Sequence, residues 1–80
     1  MFYVYIIKSE KTKTYYVGST NNLYKRMEEH NSGRSKYTSR GIPWELIYYE
    51  SYSTRSLAMK KEKVIKSRGI KRYLEYMDIS

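Results

Sequence analysis

Eighty residues make one domain, spanning 1–80, and a chain this short buries only about 60% of the surface its unfolded form exposes. With no cysteine and a single histidine, His30, disulfides, thiolate zinc and multi-histidine metal sites are excluded, so any metal must be held mainly by oxygen, which suits Mg²⁺ or Mn²⁺. Sixteen Lys and Arg against eight Asp and Glu give a formal net charge of +8, a surplus that favours a polyanionic partner.

The chain opens on Phe2-Tyr3-Val4-Tyr5-Ile6-Ile7, an aromatic and β-branched run that reads as a strand. No basic residue precedes it and no small-residue cleavage site follows it, so it does not read as a signal peptide. After polar Lys8 to Lys13, Thr14-Tyr15-Tyr16-Val17 reads as a second strand ended by Gly18, and the two form an antiparallel hairpin. Ser19-Thr20-Asn21-Asn22 clusters N-cap formers. A helix then runs from about Leu23 to His30, stopped by Asn31-Ser32-Gly33. Arg34 to Gly41 is a basic loop, and after Pro43 the run Trp44-Glu45-Leu46-Ile47-Tyr48-Tyr49 is a third strand. Ser53 or Thr54 caps a second helix over Arg55 to Arg68, closed by Gly69. Tyr73, Leu74 and Met77 lie at helical spacing in a short last helix over Ile70 to Met77. The order β-β-α-β-α-α gives an α+β domain with a three-stranded, mostly antiparallel sheet flanked by helices. No stretch holds the roughly 20 apolar residues that span a bilayer. With no cysteine, the chain fits a reducing compartment, and a cytoplasmic, membrane-free protein is expected.

Eleven tyrosines accompany the cations. Interleaved in this way they suit stacking on bases and hydrogen bonding to phosphate. The same composition also fits a soluble domain whose tyrosines fill a small core.

Arg26 and His30 lie one turn apart on the first helix, at the border of the side that carries Leu23 and Met27. They are a functional pair, or a solvated arginine beside a structural histidine. On the second helix Leu57, Ala58, Val64 and Ile65 form the apolar stripe, and Glu62 falls inside or beside it. An inward carboxylate is costly unless it is paired or metal-bound. Metal ligation and an ion pair with Arg26 are the two readings. Tyr5 and Tyr16 sit on the two strands of the hairpin.

Together these pieces resemble the GIY-YIG nuclease superfamily. Tyr3-Val4-Tyr5 stands in the place of the GIY tripeptide and Tyr16-Val17-Gly18 in that of YIG. Arg26 and His30 match the family's arginine and the histidine one turn later, and Glu62 matches its later glutamate. Lys36-Tyr37-Thr38 and Pro43-Trp44 are similar to the short, single-domain bacterial-type members. The chain departs from the pattern at Tyr3, Val4 and Val17, and no asparagine follows Asn31.

The resemblance implies a divalent-metal-dependent endonuclease that hydrolyses one DNA strand at a time, structure-guided or weakly specific. It implies one Mg²⁺ or Mn²⁺ on Glu62, a carboxylate that needs substrate phosphate to complete the site. Arg26 would offset charge on the phosphoryl oxygens. Tyr5 would assist deprotonation of the attacking water, His30 could accept its proton, and Tyr16 would orient water or phosphate. The alternative is a non-catalytic nucleic-acid-binding module on the same basic face, favoured by the absent late asparagine. A purely structural protein leaves Glu62 and the charge unexplained. DNA is the expected partner, with RNA as an alternative and a protein partner supplying targeting. Charge clustering assigns the backbone contacts to Lys36, Arg40, Lys60, Lys61 and Lys63.

Overall fold

A computed structural model describes residues 1–77. Strands β1 (Phe2–Ser9), β2 (Tyr15–Thr20) and β3 (Trp44–Tyr52) form one sheet in the order β2-β1-β3, with both pairings antiparallel. Helices α1 (Leu23–Ser32), α2 (Arg55–Arg68) and α3 (Ile70–Tyr76) complete the β-β-α-β-α-α order expected from the sequence. Among the described residues no helix is long and apolar enough to cross a membrane.

The unbroken apolar run of β1 has a simple cause. It is the central strand, with a helical layer on each face, so both sets of alternating side chains are buried. Val4 and Ile6 join Val17, Ile65, Tyr73 and Leu74 under α2 and α3. Tyr5 and Ile7 join Trp44, with Leu23 and Met27 of α1 packed against them.

Local caps fix the helix starts. The Asn22 side chain accepts from the Lys25 amide at 3.0 Å, and Thr54 from the Leu57 amide at 3.2 Å. The first helix runs two residues past the expected stop, to Gly33 at φ +82°, a left-handed cap that glycine adopts without a Cβ penalty. The basic loop is not wholly irregular, since Ser39–Gly41 winds into a single 3-10 turn. Gly18 does not end β2; the strand continues to Thr20.

Two expectations for α2 are corrected. Leu57 and Val64 are not buried; they are 46% and 44% exposed, and only Ala58 and Ile65 of that helix enter the core. Arg26 does not pair with Glu62. It meets Glu29 at 3.3 Å, whereas Glu62 meets Lys66 at 2.8 Å.

Strand β3 carries an extra residue where the pairing steps from Ile6–Tyr48 to Ile7–Leu46. A bulge of this kind reverses the alternation. Trp44 and Leu46 therefore pack with the α1 layer, while Tyr48 and Tyr52 pack with the α2 and α3 layer. Glu50 lies between them and accepts hydrogen bonds from both hydroxyls, Tyr48 and Tyr52. Burial alone would raise the Glu50 pKa. The two hydrogen bonds and the Lys61 charge outweigh it and hold the carboxyl below its usual 4.5. A depressed folded pKa contributes stability that is present above the unfolded value and lost as pH falls through the folded one. Acid titration of the melting temperature should therefore show a fall below about pH 4.5 that Glu50→Gln flattens. Parallel curves for parent and variant would remove Glu50 from the acid response.

Candidate active site

Three elements, β1, β2 and α1, meet on the α1 face of the sheet. Tyr5 of β1 lies opposite Gly18 of β2, and Ile7 lies opposite Tyr16. Tyr5, Gly18 and Tyr16 therefore share one face. The Tyr5 hydroxyl lies 2.8 Å from His30 Nε2 and accepts from Arg26 Nε at 3.3 Å. The one-turn spacing of Arg26 and His30 brings both to a single phenol oxygen. His30 and Tyr5 are fully buried, and Arg26 is 40% exposed. Tyr16 stands edge-on to the His30 ring, with centroids 5.2 Å apart.

Glu62 comes from the opposite helical layer. Helix α2 packs against β1 and β2, and β2 is an edge strand. The carboxylate is close enough for its charge to act on Tyr5. Burial pushes the Tyr5 phenol up to about 12; the Arg26 hydrogen bond and charge pull it down, and Tyr16 and Glu62 push it up. His30 is lowered from its ordinary value, first by burial and then by the Arg26 charge, so it is neutral at pH 7. Arg26 is held above its ordinary value, first by its hydrogen bond to Tyr5.

Gly18 is dictated by this geometry. A Cβ on Gly18 would stand 2.6 Å from the Tyr5 hydroxyl oxygen, 2.8 Å from Cζ and 3.2 Å from Tyr16 Cε2. The strand must present bare backbone for both phenols to fit. Gly18→Ala should cost about 1–3 kcal/mol by overpacking and displace Tyr5 from His30. The measurement is melting temperature together with the His30 imidazole NMR signals. An unchanged signal and unchanged stability would mean that the pocket absorbs the methyl group.

The glycine–tyrosine fit explains the tripeptide spacing, and the family comparison gives the same answer. A model of the GIY-YIG catalytic domain matches residues 1–73. The chain belongs to the GIY-YIG family. It is 39% identical over 77 residues to the UPF0213 protein YazA of Bacillus subtilis, covering 95% of this chain and 77% of that protein. A UPF0213 protein of Haloquadratum walsbyi is 39% identical over 66 residues, covering 81% of this chain and 73% of its own. The solution NMR structure of the UPF0213 protein BH0048 from Bacillus halodurans superposes with a TM-score of 0.59 at 26% identity, covering 98% of this chain and 84% of that one. Membership in the GIY-YIG family associates the chain with a nuclease superfamily, and the NMR structure shares its α+β architecture.

Of the GIY-YIG positions read from the sequence, Tyr5, Arg26 and His30 form one hydrogen-bonded set, with the Tyr16 ring against His30 and the Glu62 charge acting on Tyr5. Lys36, Arg40, Lys60 and Lys63 are exposed. Lys61 departs from them. It is half-buried, with its ammonium 5.0 Å from the Tyr73 ring centroid and its charge acting on Glu50.

Two neighbours of the site were given no role from the sequence. Lys66 holds Glu62 at 2.8 Å, and that bond raises the Lys66 pKa from its ordinary value. The Glu-to-Lys spacing of four was the available signal. Thr38 is fully buried, with Oγ1 2.8 Å from His30 Nδ1. Its carbonyl accepts the Trp44 indole N–H at 2.6 Å. Asn31, the last asparagine in the chain, clasps the backbone of Trp44. Its Oδ1 accepts from the Trp44 amide at 2.6 Å and its Nδ2 donates to the Trp44 carbonyl at 3.1 Å.

Glu62 has the chemistry that a Mg²⁺ or Mn²⁺ site of this class needs. It is a carboxylate 20% exposed, tied among the described residues to the 59%-exposed Lys66, and an ion pair with an exposed lysine is weak. Among the described residues no group of three or more His, Cys, Asp or Glu could hold a metal. Mg²⁺ is commonly held by one or two carboxylates together with water and phosphate, so Glu62 alone would fit as a protein donor.

Proposed function

We propose that this domain is a divalent-metal-dependent DNA endonuclease, structure-guided or weakly specific. The observation that carries the reading is the Tyr5 hydroxyl, held between Arg26 and His30 while feeling the Glu62 charge. A buried phenol with a cation on it and a carboxylate nearby is arranged for phosphodiester hydrolysis.

Glu62 would hold the Mg²⁺ or Mn²⁺, displacing the Lys66 ammonium. That ion would polarise the phosphate and stabilise the leaving oxygen. Arg26, with its remaining N–H groups, offsets charge on the phosphoryl oxygens. Tyr5 would pass its own proton to His30 Nε2 as it takes one from the attacking water, and Tyr16 would orient water or phosphate through its hydroxyl. With its pKa pushed up to about 12 in the free protein, Tyr5 would depend on handing its proton to His30 Nε2, 2.8 Å away, to act as a base.

The strand would follow exposed cations. Loop residues Lys36 and Arg40 flank Thr38, whose hydroxyl meets His30. On α2 a groove of about 620 Å³ is lined by Arg55, Lys60 and Lys63 with Ser56 and Met59. A neighbouring groove adds Arg68 and Arg72. These are phosphate contacts, and they carry no base code.

The test is incubation with labelled linear, flap and four-way-junction DNA, with Mg²⁺ or Mn²⁺ and with chelator. Cleavage that requires metal is the expected result. Affinity measured alongside should fall steeply as salt rises, with a slope of about −0.9 per phosphate neutralised on duplex DNA. Salt-insensitive affinity would reduce the +8 charge to a solubility device. Salt-sensitive binding with no cleavage of any substrate would leave a nucleic-acid-binding module.

A further inference from the structure

Tyr3 stands where the GIY pattern has its first glycine, and no step at the Tyr5 site uses it. Tyr3 and Tyr5 are two apart on β1, so both side chains project on the α1 face, about 7 Å apart along the strand. Tyr49 of β3 lies opposite Tyr5 and shares that face. Helix α1 begins at Leu23, and its Leu23 and Met27 pack over Tyr5 and Ile7. Tyr3, Tyr24 and Tyr49 belong to neither core cluster. Core filling, the plain reading of eleven tyrosines, does not account for these three.

They meet at one recess. Tyr3, Tyr24 and Tyr49, with Asn21, Asn22 and Leu23, line about 330 Å³, near the lower end of the roughly 300–1,000 Å³ of ligand pockets. The Tyr3 and Tyr49 rings meet edge-on with centroids 6.2 Å apart, a contact that steadies both. Tyr49 is nevertheless 56% exposed, and Tyr24 more so. The Asn22 side-chain oxygen is engaged by the Lys25 amide. Asn21 beside it is exposed and brings donors and an acceptor on one amide. Flat rings next to an amide suit a planar heterocycle with hydrogen-bonding edges. The six lining residues include no acid, and Lys25 and Arg26 follow on the helix, so a phosphate-bearing strand meets no repulsion here. The recess borders the Tyr5 site on two elements. Along β1, Tyr3 is one same-face step from Tyr5. Along α1, Leu23 lines the recess, and Arg26, whose Nε reaches the Tyr5 oxygen, is three residues on and on the same side.

We propose that the recess between Tyr3, Tyr24 and Tyr49 is a nucleobase subsite, which takes an unpaired base of the DNA strand whose phosphate lies at Arg26 and Tyr5. The inference deepens the nuclease reading and rests on it for the neighbouring phosphate. A base inside a duplex is paired and stacked on both faces, and taking it out has an energetic cost; a base at a flap, bulge or frayed end is already free to enter. Tyrosine faces accept any base, because every base has a π-face, and Asn21 meets its edge. The substrate class is then DNA with an unpaired nucleotide beside the scissile phosphate, recognised by its exposed base and not by its sequence.

The test uses the full chain and duplex DNA carrying 2-aminopurine as a single unpaired nucleotide, with chelator present so that no turnover occurs. Stacking in the recess is expected to quench the probe, while the same probe in a fully paired duplex stays unchanged. Tyr49→Phe should keep the quench, and Tyr49→Ala should lose most of it. Affinity should follow. The parent should bind the unpaired-base DNA about 5- to 150-fold more tightly than the same DNA made abasic at that position, the span a base–aromatic stack supplies. Tyr49→Ala should close that gap and leave affinity for the abasic DNA unchanged. No quench, or equal affinity of the parent for the two DNAs, would overturn the subsite. So would an equal loss on both DNAs in Tyr49→Ala, which would make Tyr49 structural or a phosphate contact. Where Tyr49→Ala does not fold, Tyr24→Ala, on the more exposed ring, makes the same comparison. Adding Mg²⁺ separates the two readings. Base-dependent binding without cleavage would end the nuclease reading and keep the subsite; metal-dependent cleavage without base dependence would end the subsite alone.

Discussion

Glu62→Gln is expected to lower cleavage by orders of magnitude while leaving the fold almost untouched. The change keeps size and packing and removes the charge that would hold the cation. Among the described residues Glu62 pairs with the 59%-exposed Lys66. Exposed i,i+4 pairs contribute about 0.3–0.5 kcal/mol, which for a domain of this size shifts Tm by only about 2–4 °C. The variant has one negative charge fewer, so metal-free DNA affinity should hold or rise. Added Mn²⁺ should rescue cleavage only weakly, because the neutral amide is a poor substitute for a carboxylate. The structure sharpens this expectation over the sequence alone. Had Arg26 been the partner, the same substitution would have stranded a half-buried cation; with Lys66 as partner, the released ammonium simply turns to water. Melting temperature, DNA affinity and cleavage measured on one preparation decide the matter. A marked loss of stability with cleavage per folded molecule unchanged would end the metal-ligand assignment.

How Glu62 came to be legible, while its partner did not, shows what a sequence carries. On α2 the pairs Leu57–Val64 and Ala58–Ile65 are each seven apart and apolar. They form two adjacent stripes about 100° apart, and only one can face the sheet. Periodicity joined them into a single broad face; packing buried Ala58 and Ile65 alone. Glu62 borders the stripe that won, so its position beside the core was readable despite the misreading of Leu57 and Val64. Helix starts were readable because Asn22 and Thr54 act within three residues of their own amides. Arg26 and His30 were readable because one turn of helix sets their separation.

What stayed hidden depends on contacts between elements. The extra residue in β3 that sends Tyr48 and Tyr52 to one layer and Trp44 to the other has no local signature in Trp44 to Tyr52. Thr38 looks like one more polar residue of a basic loop. Its value comes from Trp44 and His30, which the fold brings to its carbonyl and its hydroxyl. Gly18 read as a strand terminator because glycine weakens strands. Its reason lies across the sheet, in the space that Tyr5 occupies.

Tyr5→Phe carries the second large effect, and stability and chemistry separate cleanly in it. The ring stays, so the packing with Ile7 and Trp44 is kept. The hydroxyl goes, and with it the partner of His30 Nε2 and of Arg26 Nε. Arg26 is 40% exposed and can turn to water, whereas His30 is fully buried and cannot. Stranding one buried polar atom costs about 1–3 kcal/mol, so a lower Tm is expected. Cleavage should fall further than stability explains, by about 10²–10⁴-fold, the usual contribution of a positioned general base. The pH dependence discriminates more sharply than the magnitude. Burial holds the Tyr5 pKa near 12 in the free protein, so the ionised fraction grows about tenfold per unit as pH rises below that value. The parent rate should therefore climb into the alkaline range, and Tyr5→Phe should remove that climb. Tyr16→Phe, which takes a hydroxyl from the neighbouring phenol, should lower the rate but keep the slope. An alkaline climb that survives Tyr5→Phe and disappears in Tyr16→Phe would exchange the roles of the two tyrosines; one that survives both would assign the base to hydroxide from solvent and leave Tyr5 as the anchor for His30 and Arg26.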